Sequence, residues 1–206
     1  MTSQTYSVAT KLIHAGATTD PITGSVNLPI YQTSTFRQHG VGGSPEWEYS
    51  RTGNPTRAAL ERLIAELEGG TSGFAFASGM AAITAVLSLF SAGDEIVLSR
   101  NVYGGTYRVL DQVFSNFGIT YRVVEGERPH DFEAAVTERT KAFPLESPAN
   151  PLLEVTDLVA ATAVAHEHGA IAIVDNTFMP PYLQRPLELG AAVVVHSATT
   201  YLGGHS

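Results

Sequence analysis

Cysteine is absent from this chain, which excludes disulfides, thiolate metal sites and cysteine nucleophiles together and suits a reducing compartment. Lysine is scarce as well, with only Lys11 and Lys141 present. Positive charge is outweighed: 12 Lys and Arg stand against 20 Asp and Glu, a net charge of -8. The basic residues are scattered rather than striped, so a nucleic-acid partner is not expected. Long apolar runs are missing too. The longest, Ala81 to Phe90, is interrupted by Thr84 and Ser88 and is too short to cross a bilayer, and Met1 to Gly16 has no basic region followed by an apolar core. These absences read as a soluble, cytoplasmic protein with no membrane partner. No Gly-x-Gly-x-x-Gly, Walker A, Gly-x-Ser-x-Gly or His-Glu-x-x-His pattern occurs. His166 and His168, two apart on an expected helix, do not face one another, so no metal site is expected.

What is present is enough for one sizeable core: 206 residues, 44% of them hydrophobic and 16% charged. Residues 1–45 carry Pro21, Gly24, Pro29, Gly40, Gly42, Gly43 and Pro45 without a sustained period, and read as an extended arm that needs a surface to lie on. Residues 46–206 read as the large domain. At its start Asn54 can cap a helix, Pro55 suits the first turn, and Leu60, Leu63, Ile64 and Leu67 recur at helical spacing until Gly69-Gly70. Strands are expected near 73–77, 95–99, 120–124, 142–146, 170–175 and 192–196, with helices near 79–90, 105–117, 131–138 and 157–168. Strand followed by helix, repeated, implies an α/β fold with a mostly parallel sheet covered on both faces. Pro144 argues against an easy strand, because it lacks a ladder donor.

In an open parallel sheet, ligands gather beyond the carboxyl ends of the strands. Asp175 ends one apolar run, where a carboxylate suits a protonated pyridine nitrogen; a loop acid or helix cap is the plainer alternative. Ser78-Gly79-Met80 sits where a strand turns into a helix, so backbone N–H groups there can cradle an anion, although such turns also occur for geometry alone. Ser197 and Thr199 place two hydroxyls at the same edge. Tyr49 and Arg51 share one side of an extended segment and could grip a phosphate together. Tyr103 opens a Tyr-Gly-Gly-Thr turn and could stack on a planar heterocycle or simply pack on a helix end.

Six motifs appear in order: Tyr49-Ser50-Arg51-Thr52-Gly53-Asn54-Pro55-Thr56, Ser78-Gly79-Met80-Ala81-Ala82, Tyr103-Gly104-Gly105-Thr106, Glu146-Ser147-Pro148-Ala149-Asn150-Pro151, Val174-Asp175-Asn176-Thr177-Phe178, and His196 to Ser206. Over essentially its whole length the chain resembles the Cys/Met metabolism family of pyridoxal-phosphate (PLP) enzymes, which includes cystathionine gamma-synthase, cystathionine gamma-lyase, methionine gamma-lyase and O-acetylhomoserine sulfhydrylase. The resemblance implies the large domain of a type I PLP-dependent transferase, ending before the smaller C-terminal domain, a sulfur amino acid as substrate, and a homotetramer built as a dimer of dimers. It also implies roles. Tyr49 and Arg51 would hold the phosphate of a neighbouring subunit's cofactor, and Gly79, Met80, Ser197 and Thr199 the phosphate within the subunit. Tyr103 would stack on the pyridine ring and assist proton transfer, Asp175 would pair with the ring nitrogen, Asn150 would touch the ring's hydroxyl side, and Arg108 would lie near the substrate. One departure stands out. The family reads Ser-Ala-Thr-Lys-Tyr, with the lysine that joins the cofactor covalently and shuttles protons, and here that position is Thr200. Threonine has no amine to condense with an aldehyde. Lys11 and Lys141 are not expected at that strand end. Two readings stay open: a carbon–sulfur lyase or gamma-replacement transferase by family, and a PLP-binding scaffold without turnover.

Overall fold

The computed structural model describes residues 6–16, 19–43 and 46–204. Pro45 of the arm and His205 and Ser206 of the last motif lie outside the described residues. The chain forms two compact units, residues 1–75 and 76–206.

In the first unit, α1 (Val8–His14) and α2 (Pro55–Glu68) are both capped by side-chain oxygens: Ser7 accepts from the Thr10 N–H, and Asn54 from that of Thr56 at 2.9 Å. The stop at Gly69 is left-handed, with φ 74°. The expected arm is therefore not wholly extended, since α1 lies within it. Between the helices the chain is tied down locally. Asp20 is buried, accepting from the Thr23 N–H (2.8 Å) and hydroxyl (2.6 Å) and from the Tyr31 hydroxyl (3.1 Å). These bonds, those from Thr23 foremost, hold its carboxyl below the usual range. Tyr49 forms an antiparallel bridge with Thr35, and the Arg51 guanidinium lies 4.7 Å from the Tyr49 ring centroid.

The second unit is a parallel sheet. Its strands are β1 (Glu95–Ser99), β2 (Thr120–Val124), β3 (Thr140–Glu146), β4 (Ile171–Asp175) and β5 (Val193–Val195), in the order β2-β1-β3-β4-β5. Its helices are α3 (Gly79–Leu87), α4 (Gly104–Gln112), α5 (Pro129–Glu133) and α6 (Leu158–Glu167). Side-chain alternation sorts the core into two layers. Val97, Phe143, Leu145, Ala172 and Val174 pack with Phe132, Leu158 and Ala161 on one face. Ile96, Leu98, Ala142, Ile173 and Val195 pack with Ile83, Leu87 and Leu110 on the other. Near the amino ends of the strands, buried Glu95 accepts from Arg122 Nε (2.9 Å), the Thr137 hydroxyl (2.7 Å) and the Thr140 hydroxyl (3.2 Å). Burial alone would raise its carboxyl, but the bonds from Arg122 and Thr137 outweigh burial and lower it.

Pro144 does lie inside a central strand, opposite Ile173 of β4. The register with β1 shifts between Glu95 and Ile96, whose partners are Thr140 and Ala142. Pro144 thus stands beyond the matched part of that ladder, where a missing donor is tolerated. The strand expected at 73–77 does not form. The Ala75 N–H is instead bonded to the Glu61 carboxylate at 3.0 Å. Three helices are shorter than their patterns suggest. Around α4, the Ser115 hydroxyl and Asn116 amide cap the carbonyls of Asp111 and Gln112, turning Phe114–Phe117 into a 3-10 turn that ends at left-handed Gly118. α3 stops at Leu87, where the Ser88 hydroxyl bonds back to Thr84, and α5 covers only Pro129–Glu133, before Thr137 engages the Thr140 hydroxyl.

Candidate active site

The strand order reverses between β1 and β3, since β2 lies to one side of β1 and β4 and β5 lie beyond β3. A crevice at the carboxyl ends is expected at that reversal. Its chemistry comes from the residues just past each strand. After β1 comes Tyr103, the N-cap of α4, whose backbone N–H donates to Glu146 Oε2 at 2.6 Å. Glu146 ends β3 and is buried, and the Asn150 N–H approaches its Oε1 at 3.5 Å. Asp175 ends β4 directly opposite Glu146. Its Oδ1 accepts from both the backbone N–H (3.0 Å) and the hydroxyl (2.5 Å) of Thr177. That hydroxyl in turn accepts from the Ser197 N–H at 2.8 Å.

Ser197 meets the start of α3. A Cβ added to Gly79 would fall 2.9 Å from the Ser197 Cβ, so only glycine permits this approach. The Ser78 hydroxyl caps α3 by accepting from the Ala81 N–H at 3.1 Å. The first N–H groups of an α-helix have no intrahelical acceptor, so Gly79 and Met80 offer donors with the helix dipole behind them. The Tyr103 ring lies close over Gly105, where an added Cβ would meet its Cε1 at 2.5 Å and Met80 Sδ at 2.6 Å. Beneath these residues a cavity is lined by Ile83, Leu87, Val102, Thr106, Glu146 and Asp175. Two carboxyl groups thus share an apolar recess. Burial, then the Asp175 charge, pushes Glu146 up to about 7. Burial also raises Asp175, against the opposing bonds from Thr177 and the charge of His196.

Gly79, Met80, Tyr103, Asn150, Asp175 and Ser197 are therefore joined by a chain of contacts at one end of the sheet. Thr200 belongs to the same turn as Ser197, donating its N–H to the Ser197 carbonyl at 3.2 Å. Thr199 is exposed in that turn, and Arg108 is exposed on α4 with a guanidinium nitrogen beside Gly104. Tyr49 and Arg51 pair with each other inside the first unit. Glu146 and Thr177 stood inside the motifs without a role. An acid closing the apolar run Phe143–Leu145 is the same signal that singled out Asp175, but its bond to Tyr103, 43 residues away, is visible only in the fold.

A parallel sheet covered on both faces, with a capped helix start and the carboxyl pair Glu146 and Asp175 at its carboxyl edge, defines the class: an α/β protein of the doubly wound kind. The particular family is fixed by its relatives. The chain belongs to the Cys/Met metabolism PLP-dependent enzyme family, whose sequence profile matches residues 9–206. It is 58% identical over 200 residues to a cystathionine beta-lyase of Lactococcus lactis subsp. cremoris (strain MG1363), covering 97% of this chain and 53% of that protein. It is 53% identical over 197 residues to a cystathionine gamma-lyase of Bacillus subtilis (strain 168), covering 96% and 52%. The crystal structure of cystathionine gamma-lyase from Lactobacillus plantarum complexed with L-serine superposes with a TM-score of 0.94 at 54% identity, covering 98% of this chain and 52% of that one. The chain spans about half the length of the curated relatives it matches. Among the described residues no cluster could hold a metal ion, and no helix is long and apolar enough to cross a membrane.

Proposed function

We propose that this chain is the cofactor-binding part of a PLP-dependent, transsulfuration-type enzyme acting on sulfur amino acids, by C–S bond cleavage or gamma-replacement. The observation that carries the reading is the contact chain Asp175–Thr177–Ser197–Gly79 at the carboxyl edge. It offers a half-buried acid at one end and a glycine at the helix start at the other. Asp175, with one oxygen occupied by Thr177, keeps the other for a protonated ring nitrogen. The N–H groups of Gly79 and Met80 and the hydroxyls of Ser197 and Thr199 would hold the phosphate. Tyr103 would cover the ring face, Asn150 the ring hydroxyl, and Arg108 the substrate side. Tyr49 and Arg51 would serve a neighbouring subunit's phosphate in a cytoplasmic homo-oligomer. When bound, PLP supplies an electron sink for charge developing at the substrate carbon.

The residues fit the cofactor but not its covalent attachment. Thr200 stands half-buried at the position read as the family's lysine, so a second reading applies to this polypeptide: it binds PLP noncovalently and does not turn over. The test is intact mass after incubation with PLP and borohydride reduction. The parent chain should show no adduct, and Thr200→Lys should show one cofactor per chain, mapped to position 200. Equal adducts in both proteins, mapped to Lys11 or Lys141, would overturn the role given to position 200. Equilibrium dialysis with PLP tests the seat itself, and no saturable binding to the parent chain would overturn it.

A further inference from the structure

We propose that Glu146 is a positioning residue of this site. Its carboxyl clamps the backbone at Tyr103 across the strand-order reversal, and it retains a proton so that Asp175 alone carries the negative charge of the pair. The inference rests on the proposed cofactor site and assigns Glu146 a task within it.

The geometry supplies both halves. Strands β1 and β3 part at the crevice, and the 2.6 Å bond from the Tyr103 N–H to Glu146 Oε2 is a cross-tie between them. That bond holds the N-cap residue of α4, whose ring lies close over Gly105. Asn150, on the loop after β3, approaches the other oxygen of the same carboxyl. A single buried group therefore sets the height of the Tyr103 side chain, proposed to cover the ring.

The proton is a consequence of the surroundings of that group. Glu146 and Asp175 end neighbouring parallel strands at paired positions, so their side chains leave the same face about 5 Å apart. Both line one recess, whose other residues, Ile83, Leu87, Val102 and Thr106 among them, bring no charge. From the turn just after β5, His196 acts on Asp175; from α4, Arg108 is exposed. Two like charges so placed, in a largely apolar recess, cannot both persist cheaply, and one carboxyl keeps its proton. Asp175 has the better claim to the charge, because two close Thr177 donors and His196 stabilise its anion, whereas Glu146 has one close donor, the Tyr103 N–H, and only a distant one at Asn150. The same division appears in the position of Glu146 near neutrality. A protonated glutamic acid presents one acceptor oxygen and one donor, as glutamine does.

Glu146→Gln and Glu146→Ala separate clamp from charge. In the full chain without cofactor, amide exchange at Tyr103 should accelerate at least tenfold in Glu146→Ala and stay within about threefold of the parent in Glu146→Gln. With carbon-13-labelled glutamate, one carboxyl should titrate near neutral pH in the parent and vanish in Glu146→Gln. Equilibrium dialysis should show PLP bound at least tenfold more weakly by Glu146→Ala, with binding recovered in Glu146→Gln. Unchanged exchange in Glu146→Ala would overturn the clamp, and no near-neutral glutamate would overturn the proton. PLP affinity equal in the parent and Glu146→Ala would overturn the positioning role. If the parent binds no PLP, the cofactor reading falls and the seat with it, whereas the two cofactor-free readouts still decide whether clamp and proton exist. Should Glu146→Ala fail to fold, loss of the near-neutral titration in Glu146→Gln together with unchanged exchange at Tyr103 remains the supporting result.

Discussion

Asp175 combines requirements that conflict in water. In the proposed site it must be desolvated enough to attract a ring cation strongly, yet remain an anion at neutral pH. Burial raises its carboxyl, and the two donors of Thr177 and the charge of His196 offset part of that rise. Asp175→Asn keeps the size of the side chain and removes its charge. PLP affinity should fall at least tenfold, about 1.4 kcal/mol or more, as read by equilibrium dialysis. Undiminished affinity would mean that the ring nitrogen is not the partner of this residue. Thr177 is the support on which this depends, since one hydroxyl both donates to Asp175 and accepts from the Ser197 N–H.

At the scale of elements, α3 matters through its first residue. Alanine is intrinsically better than glycine inside a helix by about 1 kcal/mol, so Gly79→Ala on propensity alone would be neutral or stabilising. The tertiary contact reverses the sign, because the new methyl would sit 2.9 Å from the Ser197 Cβ. Either α3 or the turn after β5 must move. We expect a loss of stability of about 1–3 kcal/mol in urea unfolding and a weaker hold on PLP. A Gly79→Ala protein as stable as the parent would show that the turn yields freely. The helix pattern itself announced α2 well, with Asn54, Pro55 and Gly69 marking both ends. Inside that pattern, however, Leu67 is buried and Leu60 is half exposed, a distinction set by what packs against each turn and not by spacing.

For the whole molecule, the carboxyl pair links fold stability to pH. Glu146 lies near 7 in the fold against an ordinary value of 4.5. The folded state therefore binds more protons than the unfolded one between these values. The sign is opposite to that of a salt-bridged acid: this contribution is full at low pH and is lost as pH rises toward 7. Asp175, also raised, acts in the same direction. Asp20 and Glu95, both lowered, lose their contributions only at more acid pH. Urea unfolding should show the parent about 2 kcal/mol more stable at pH 5.5 than at pH 8 from Glu146. Glu146→Gln should flatten that slope, and an equal slope in both proteins would remove Glu146 as its source.

The alternation of apolar strand and amphipathic helix determined the α/β class, the parallel sheet and its two core layers, because burying both faces of a sheet leaves a continuous apolar signature in each strand. Local chemistry determined the caps of α2 and the donors at the start of α3, which depend on residues within a few positions of one another. The motifs marked Asp175, Gly79, Ser197 and Tyr103 one at a time. Only the tertiary structure joined them, since the bonds between Thr177 and Ser197 and between Tyr103 and Glu146 span 20 and 43 residues. It also decided that 73–77 makes no strand, that Pro144 has a place in β3, and that Glu146 faces Asp175. Each of these turns on which backbone groups find partners across the fold, and pairing between distant segments leaves no trace in the spacing of residues along either one.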